Sequence, residues 1–379
     1  MQDRLGTVIR AFDEQGFHRT GTVVDRRSGD WLANEVRQIG LEPVLEEFSL
    51  SRVDPLHASL EVNGRKIEGL PLFDGGFTDA AGVVGKLGNL NSDAAIGLTG
   101  IPPNAAQTGA LGDARREDKH EAIVVITRGR RPGFCPSNAD SFLRPFGAPV
   151  LQVASDEAPF LADCARQGGA KAVLTAHAER LQAKAFNVTT VVPGTDKSLA
   201  PLVVMTPRSG WWSCASERGG GVACWLEIMR TIRAARAARD VLFVASSGHE
   251  LGHLGLDAFI DRRAGLVQTA KAWIHLGANI GAAYGPGNNL QASDDEMESA
   301  MTKAMTKAAL AIDGRLPRDA APRGEAENIH RGGGRYISII GNNDLFHNAS
   351  DRGADAVDVK IIERFAKAFG MVAGLLASG

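Results

Sequence analysis

The chain has 379 residues, of which 44% are hydrophobic and 23% charged, enough for a sizeable core and, by length, two compact units. A balance of 42 basic against 44 acidic residues offers no footprint for nucleic acid or an anionic membrane. The start lacks the apolar run of a secretory signal, and no stretch is long enough to span a bilayer. Cys135, Cys164, Cys214 and Cys224 show no CxxC pairing, so we expect a reduced, cytoplasmic protein.

Leu5, Val8, Ile9 and Phe12 recur at helical spacing and predict a helix over 1–17, followed by another near 24–40. From "FSLSRVDPLHASLEVNGRKIEGLPLFDGG" the texture changes to alternating residues between breakers, which reads as short strands and turns. "EAIVVITRG" and "APVLQVAS" read as strands and "APFLADCARQGGAKAVL" as a helix, so residues 52–183 form an insertion rich in strands. The flanking segments 1–51 and 184–379 then form the catalytic domain.

From "NVTTVVPG" onward, strands ("PLVVMTP", "DVLFVASS", "AWIHLGANIGA", "GRYISII") alternate with helices, including one near 296–312 and a closing "VDVKIIERFAKAFGMVAGLL". Such alternation predicts an α/β fold with a mostly parallel sheet and helices on both faces. Sites in such sheets gather at the carboxyl ends of the strands. Those ends carry Arg208–Arg218, His249–His253, His275–Asn279 and Asn342–Asp351.

"GHELGH" spells His-Glu-x-x-His, the pattern in which two histidines one helical turn apart hold zinc. Here a strand and a Ser-Ser-Gly turn precede His249, and Gly252 and Gly255 weaken a helix. A third ligand would have to be Asp257, Asp261 or His275.

The ordered segments "NVTTVVPGTDKSLAPLVVMTPRSGWW", "SERGGGVACWLEIMR", "DVLFVASSGHELGHLGLDAF", "AWIHLGANIGA" and "FHNASD" resemble the co-catalytic zinc aminopeptidase and carboxypeptidase family. That family also contains glutamate carboxypeptidase, glutaminyl cyclase and the transferrin receptor. The insertion resembles its protease-associated domain. The resemblance places Thr206 and Arg208 in the family's His-x-Asp slot, Glu217 nearest the bridging aspartate, and Gly277 or Ala278 where a later aspartate stands. His249 falls in the general-base slot and Glu250 in a ligand slot, while His347 matches the last metal histidine. Most ligands are thus replaced, and the family's two-zinc site does not carry over intact.

The resemblance implies a hydrolase of an amide or peptide-like bond with a rebuilt, mononuclear or non-standard centre: one divalent metal, zinc or else manganese, on Glu250 and His347, with His275, or else His249 or Glu217, completing the shell. His249 and Glu250 are the candidate catalytic pair, since imidazole titrates near neutral pH. Arg208, Trp212, Glu217, Arg218, Asn279, Tyr336 and Asn343 are candidate substrate residues. The loop "TPRSGWWSCASERGGG" leads to glycines opening a helix, where free N–H groups would favour a substrate carboxylate. Trp211 and Trp212 otherwise pack the junction with the insertion. The segment from Glu325 through His330 to Asn343 is a candidate cleft wall, and Cys214 a candidate nucleophile with His249 as base.

Two alternatives are a metal-free enzyme using His249 and Glu250 on a small carboxylate-bearing molecule, and a non-catalytic binding homologue. The partners expected are a small molecule or short peptide and a second copy of the chain.

Overall fold

The computed structural model describes residues 1–166 and 170–378. In chain order, the first strands are β1 Val44–Val62, β2 Arg65–Glu68, β3 Leu70–Pro71, β4 Val83–Asn89, β5 Ile96–Ile101, β6 Ala122–Thr127, β7 Val150–Val153 and β8 Lys171–Val192. They are followed by β9 Leu202–Pro207, β10 Val241–Ser246, β11 Ala272–Leu276, β12 Gly287–Ala292, β13 Gly314–Arg315 and β14 Tyr336–Asn342.

The parallel centre is β10, β9, β11 and β14, in register through Val241↔Leu202, Ala272↔Leu202 and Trp273↔Tyr336. Strands β12 and β8 flank it antiparallel. The strands of the centre are short apolar runs because both their faces are covered. Leu202 and Val204 enter one core with the first helices and the closing helix, whereas Val203 and Met205 enter a second core with Leu256, Phe259 and Ile329. The helices cover both faces as the alternation predicts.

Two expectations change. The first half of the stretch read as short strands and turns belongs to one long strand, β1, which pairs with β8 from Val44↔Thr189 to Val62↔Ala172 and is irregular only between Pro55 and His57, whereas the short strands β2 and β3 follow it as expected. Pro55 perturbs the ladder without ending it, as a bulge does. The boundaries at 52 and 183 therefore fall inside paired strands, and the insertion grows out of the main sheet by strand extension. The helix read over "APFLADCARQGGAKAVL" ends at Arg166, and its last residues belong to β8; residues 167–169 of that reading lie outside the described residues.

Next to β8, strands β4, β5, β6 and β7 form a parallel extension that joins β8 antiparallel through β4, with its own core including Leu60, Leu87, Val124, Leu151 and Leu174. A further cluster of Phe48, Phe73, Phe142, Trp211 and Leu251 joins this part to the main sheet.

Candidate functional site

Loops at the carboxyl ends of β9, β10, β11 and β14 converge. After β9, the side chain of Arg208 is fully buried with Nη1 2.9 Å from Asp25 Oδ1. Asp25 also accepts from Gly21 N and Ser247 Oγ, both at 2.9 Å. Beside them Glu250 accepts from Thr20 N at 2.8 Å and from Ser209 Oγ at 2.7 Å, and Ser209 Oγ accepts from Gly248 N at 2.8 Å. Burial pushes the Glu250 carboxyl above its ordinary range against these hydrogen bonds. Apart from Arg208 Nε, the polar atoms of this network have partners.

The same loop continues through Cys214, at φ 54°, into a wide turn over Ala215–Gly219 that opens the helix Gly220–Ala235. The N–H groups expected to hold a substrate carboxylate are already engaged. Asp351 accepts from Ser216 N at 2.9 Å, Ser216 Oγ at 2.7 Å and Glu217 N at 2.9 Å, with its own carboxyl raised to about 6 by burial. The Cys214 thiol is raised well above its ordinary value by burial, which withholds the thiolate a nucleophile needs.

Glu217 and Arg218 project into a second cluster. Arg218 Nη2 lies 2.8 Å from Glu217 Oε1 as an ion pair, without the alignment of a hydrogen bond, and His347 Nε2 is 3.6 Å from the same oxygen. Glu325, from the loop before β14, lies 3.6 Å from His249 Nδ1 and accepts from Ser246 Oγ at 2.6 Å. His275 Nδ1 meets Ser338 Oγ at 2.8 Å. Gly324, at φ 63°, leaves a Cβ position 3.4 Å from His275 and 3.6 Å from His249, so the loop passes close above both rings.

Here the accounting differs. Both Glu217 oxygens, Arg218 Nη1 and Nη2, His249 Nδ1, His275 Nε2, His347 Nε2 and Glu325 Oε2 are buried with no hydrogen-bond partner among the described residues. Burial, then the Arg218 charge and the neighbouring imidazoles, push His249 well below its ordinary value; His275 falls to about 3, for which burial is again the first cause. Burial raises Glu325. His249, His275 and His347, which burial also lowers, are therefore neutral at physiological pH.

A cleft of about 730 Å³ opens above this cluster, with His249, His253, His275, Asn279 and Asn343 in its lining. Arg208, Glu217 and Arg218 lie beneath rather than on its surface. Trp212 packs at the junction with the insertion, edge-on to Phe17, and donates Nε1 to His347 O at 2.8 Å. Tyr336 is buried in the second core with its hydroxyl 3.3 Å from His330 Nδ1 and does not reach the cleft. The amides of Asn279 and Asn343 line the cleft but donate to Gly341 O and Ser216 Oγ. Thr20 and Asp25 went unseen in the sequence, and Ser209 and Asp351 stood there only within polar strand ends, because nothing in a sequence distinguishes a buried polar residue from a surface one. Glu325 was legible only as part of a polar loop.

The expected metal trio of Glu250, His347 and His275 does not fit. Glu250 spends both carboxylate oxygens on Thr20 and Ser209, and the Arg218 guanidinium stands against the carboxylate nearest His347. Among the described residues no three His, Cys, Asp or Glu side chains come together as a metal-holding group. The His-Glu-x-x-His pattern fails too. His249–Leu251 is a single tight turn, with Gly252 at φ 83° and His253 at φ 66°, so the histidines do not share one helix face.

No family model matches the chain, and no curated protein matches it. Among solved structures, a zinc aminopeptidase from Bacillus subtilis superposes with a TM-score of 0.83 at 15% identity, over 100% of this chain and 95% of that one. The fold is that of the zinc aminopeptidases. An aminopeptidase from Aneurinibacillus sp. strain AM-1 gives 0.75 at 14% identity over 100% and 94% of the two chains. A Peptidase M28 precursor from Shewanella amazonensis gives 0.76 at 14% identity over 100% and 96%. Within this aminopeptidase fold, the loops after β9, β10, β11 and β14 carry the replaced residues.

Proposed function

We propose that the chain is a metal-independent acid–base enzyme on the aminopeptidase fold, acting on an amide or peptide-like bond of a small molecule. The observation that carries this reading is the pair of His249, which lines the cleft, and Glu325, buried 3.6 Å from it, with unpartnered atoms on both. Buried groups held unpaired cost about 1–3 kcal/mol each, and their concentration in one cleft marks a functional site.

His249 is neutral, so it can take a proton from a water attacking the substrate carbonyl. The imidazolium formed is stabilised by the Glu325 carboxylate and returns the proton to the leaving nitrogen. His275 Nε2 is the ring nitrogen left to face substrate. The buried Arg218 contributes a fixed positive charge beneath the reacting carbonyl, where negative charge develops. Glu250, set in its own hydrogen bonds, holds the turn that presents His249.

The test is a screen of N-acyl amino acids and dipeptides with chelator-treated protein, followed by the His249→Asn and Glu325→Gln variants on any compound turned over. Turnover that resists chelator and falls at least 100-fold in His249→Asn supports the reading, in line with the ~10²–10⁴-fold range of general-base catalysis. Turnover restored only by added metal, or retained in His249→Asn, overturns it.

A further inference from the structure

The insertion forms part of the cleft. Its residues Arg128, Arg130, Asn138 and Asp140 line the cleft together with Arg323 and Arg331. The segment bearing the first four is tied to the site itself. Ala139 N donates to Glu250 O at 2.9 Å, and His347 Nδ1 meets Pro136 O at 2.7 Å. Trp211 Nε1 donates to Asn138 Oδ1 at 3.1 Å and Asn348 Nδ2 to Pro132 O at 3.0 Å. A Cβ on Gly252 would sit 2.7 Å from Asp140 O, so the two loops meet backbone to backbone. A lid that swung away would break all these contacts at once.

The charges around this opening are unequal. Arg128, Arg323 and Arg331 are exposed, and among the described residues none makes an ion pair; Arg130 lies 3.5 Å from Asp344. Asp140 and Glu327 are the acids of the lining, and burial raises the Asp140 carboxyl. Four arginines against two acids leave a positive mouth, which concentrates anions in a cleft with low-dielectric walls. The guanidinium fork matches a carboxylate in two parallel hydrogen bonds.

We propose that residues 128–140 of the insertion form a fixed specificity wall, and that Arg128, Arg323 and Arg331 select a substrate bearing a free carboxylate. This deepens the function proposed above and rests on it for the reaction, though binding can be measured without turnover.

The experiment is calorimetric titration of the full chain with N-acetyl-L-glutamate, N-acetyl-L-glutamine and N-acetyl-L-glutamine amide, which carry two, one and no carboxylates, with inorganic phosphate as a competing probe. We expect affinity to fall at least tenfold from the acids to the neutral amide. Arg128→Gln and Arg323→Gln should weaken the acids at least fivefold and leave the amide unchanged, while Arg166→Gln, outside the cleft lining, changes neither. Equal binding of the three compounds, no binding of any, or tighter binding of phosphate than of the acids overturns the assignment. Amide exchange supplies the second readout: a fixed wall keeps residues 137–142 protected in the free chain, whereas exchange that slows only when probe is added would contradict it. Failure of the acid–base reading is separable, because His249→Asn would then retain turnover without altering these affinities.

Discussion

Arg208 and Arg218 leave the same loop, both are buried, and each faces a carboxylate, Asp25 in one case and Glu217 in the other. Around Arg208 nearly every donor meets an acceptor, through Thr20, Ser209, Ser247 and Glu250. Around Arg218 the terminal nitrogens, both Glu217 oxygens and three imidazole nitrogens have no hydrogen-bond partner among the described residues. Buried charge is common to the two, so burial alone does not mark a site. Hydrogen-bond satisfaction separates them: the first cluster is finished by folding, and the second is left for a bound molecule to finish.

That contrast is breakable. The largest effect is expected from Arg208→Met, which strands the Asp25 carboxylate in the interior; breaking a buried pair costs about 3–5 kcal/mol, read as a lower urea midpoint. A loss under about 1 kcal/mol would mean that the network is no more structural than a surface pair. Next comes His249→Asn, expected to lower turnover about 100-fold or more while the urea midpoint stays near wild type. Equal losses of stability and activity in this variant would erase the distinction between the clusters.

Glu250→Gln should do the reverse on a smaller scale. It keeps one acceptor of two, so about 1 kcal/mol of stability is lost and turnover stays within a few-fold of wild type. A 100-fold loss of turnover would return Glu250 to the mechanism. Because burial raises the folded Glu250 carboxyl, its protonated form favours the folded state; that contribution is full below the ordinary glutamate value and fades as pH rises through the raised one. The stability gap between wild type and Glu250→Gln should therefore narrow with rising pH.

The finest effect is on the pH profile. His249 is held well below 6.5, so a base that must be unprotonated is already so through the ordinary histidine range. We expect kcat/KM to stay flat as pH falls through 6.5 and to decline only at lower pH. An inflection at the ordinary imidazole value would place the titrating group elsewhere.

The fold was largely legible in the sequence because its signals are local. Alternating apolar runs and helical periods identified the parallel centre, and the closing helix follows from its apolar stripe. The expected boundaries of the insertion fall inside β1 and β8, two strands that run on past the junction, and a paired strand gives no break in pattern where its partner core changes. The site was legible as far as the strand ends. His249, His275, Asn279 and Asn343 do line the cleft. What sequence could not supply was which partner each charge would meet. Glu250 and His347 resemble ligands by position, yet Thr20 and Ser209 take the one and Glu217 faces the other. Those contacts join residues 230 and 41 positions apart for Glu250, separations at which no motif operates.

The central claim is that a guanidinium, and not a metal ion, holds the centre of this aminopeptidase fold. The most direct measurement is elemental analysis of protein purified without chelator or histidine tag and equilibrated with zinc and manganese, comparing wild type with His347→Ala and Arg218→Met. The account predicts no stoichiometric metal in wild type or His347→Ala, and an unchanged melting temperature on adding chelator. One zinc or manganese per wild-type chain, lost in His347→Ala, would contradict it.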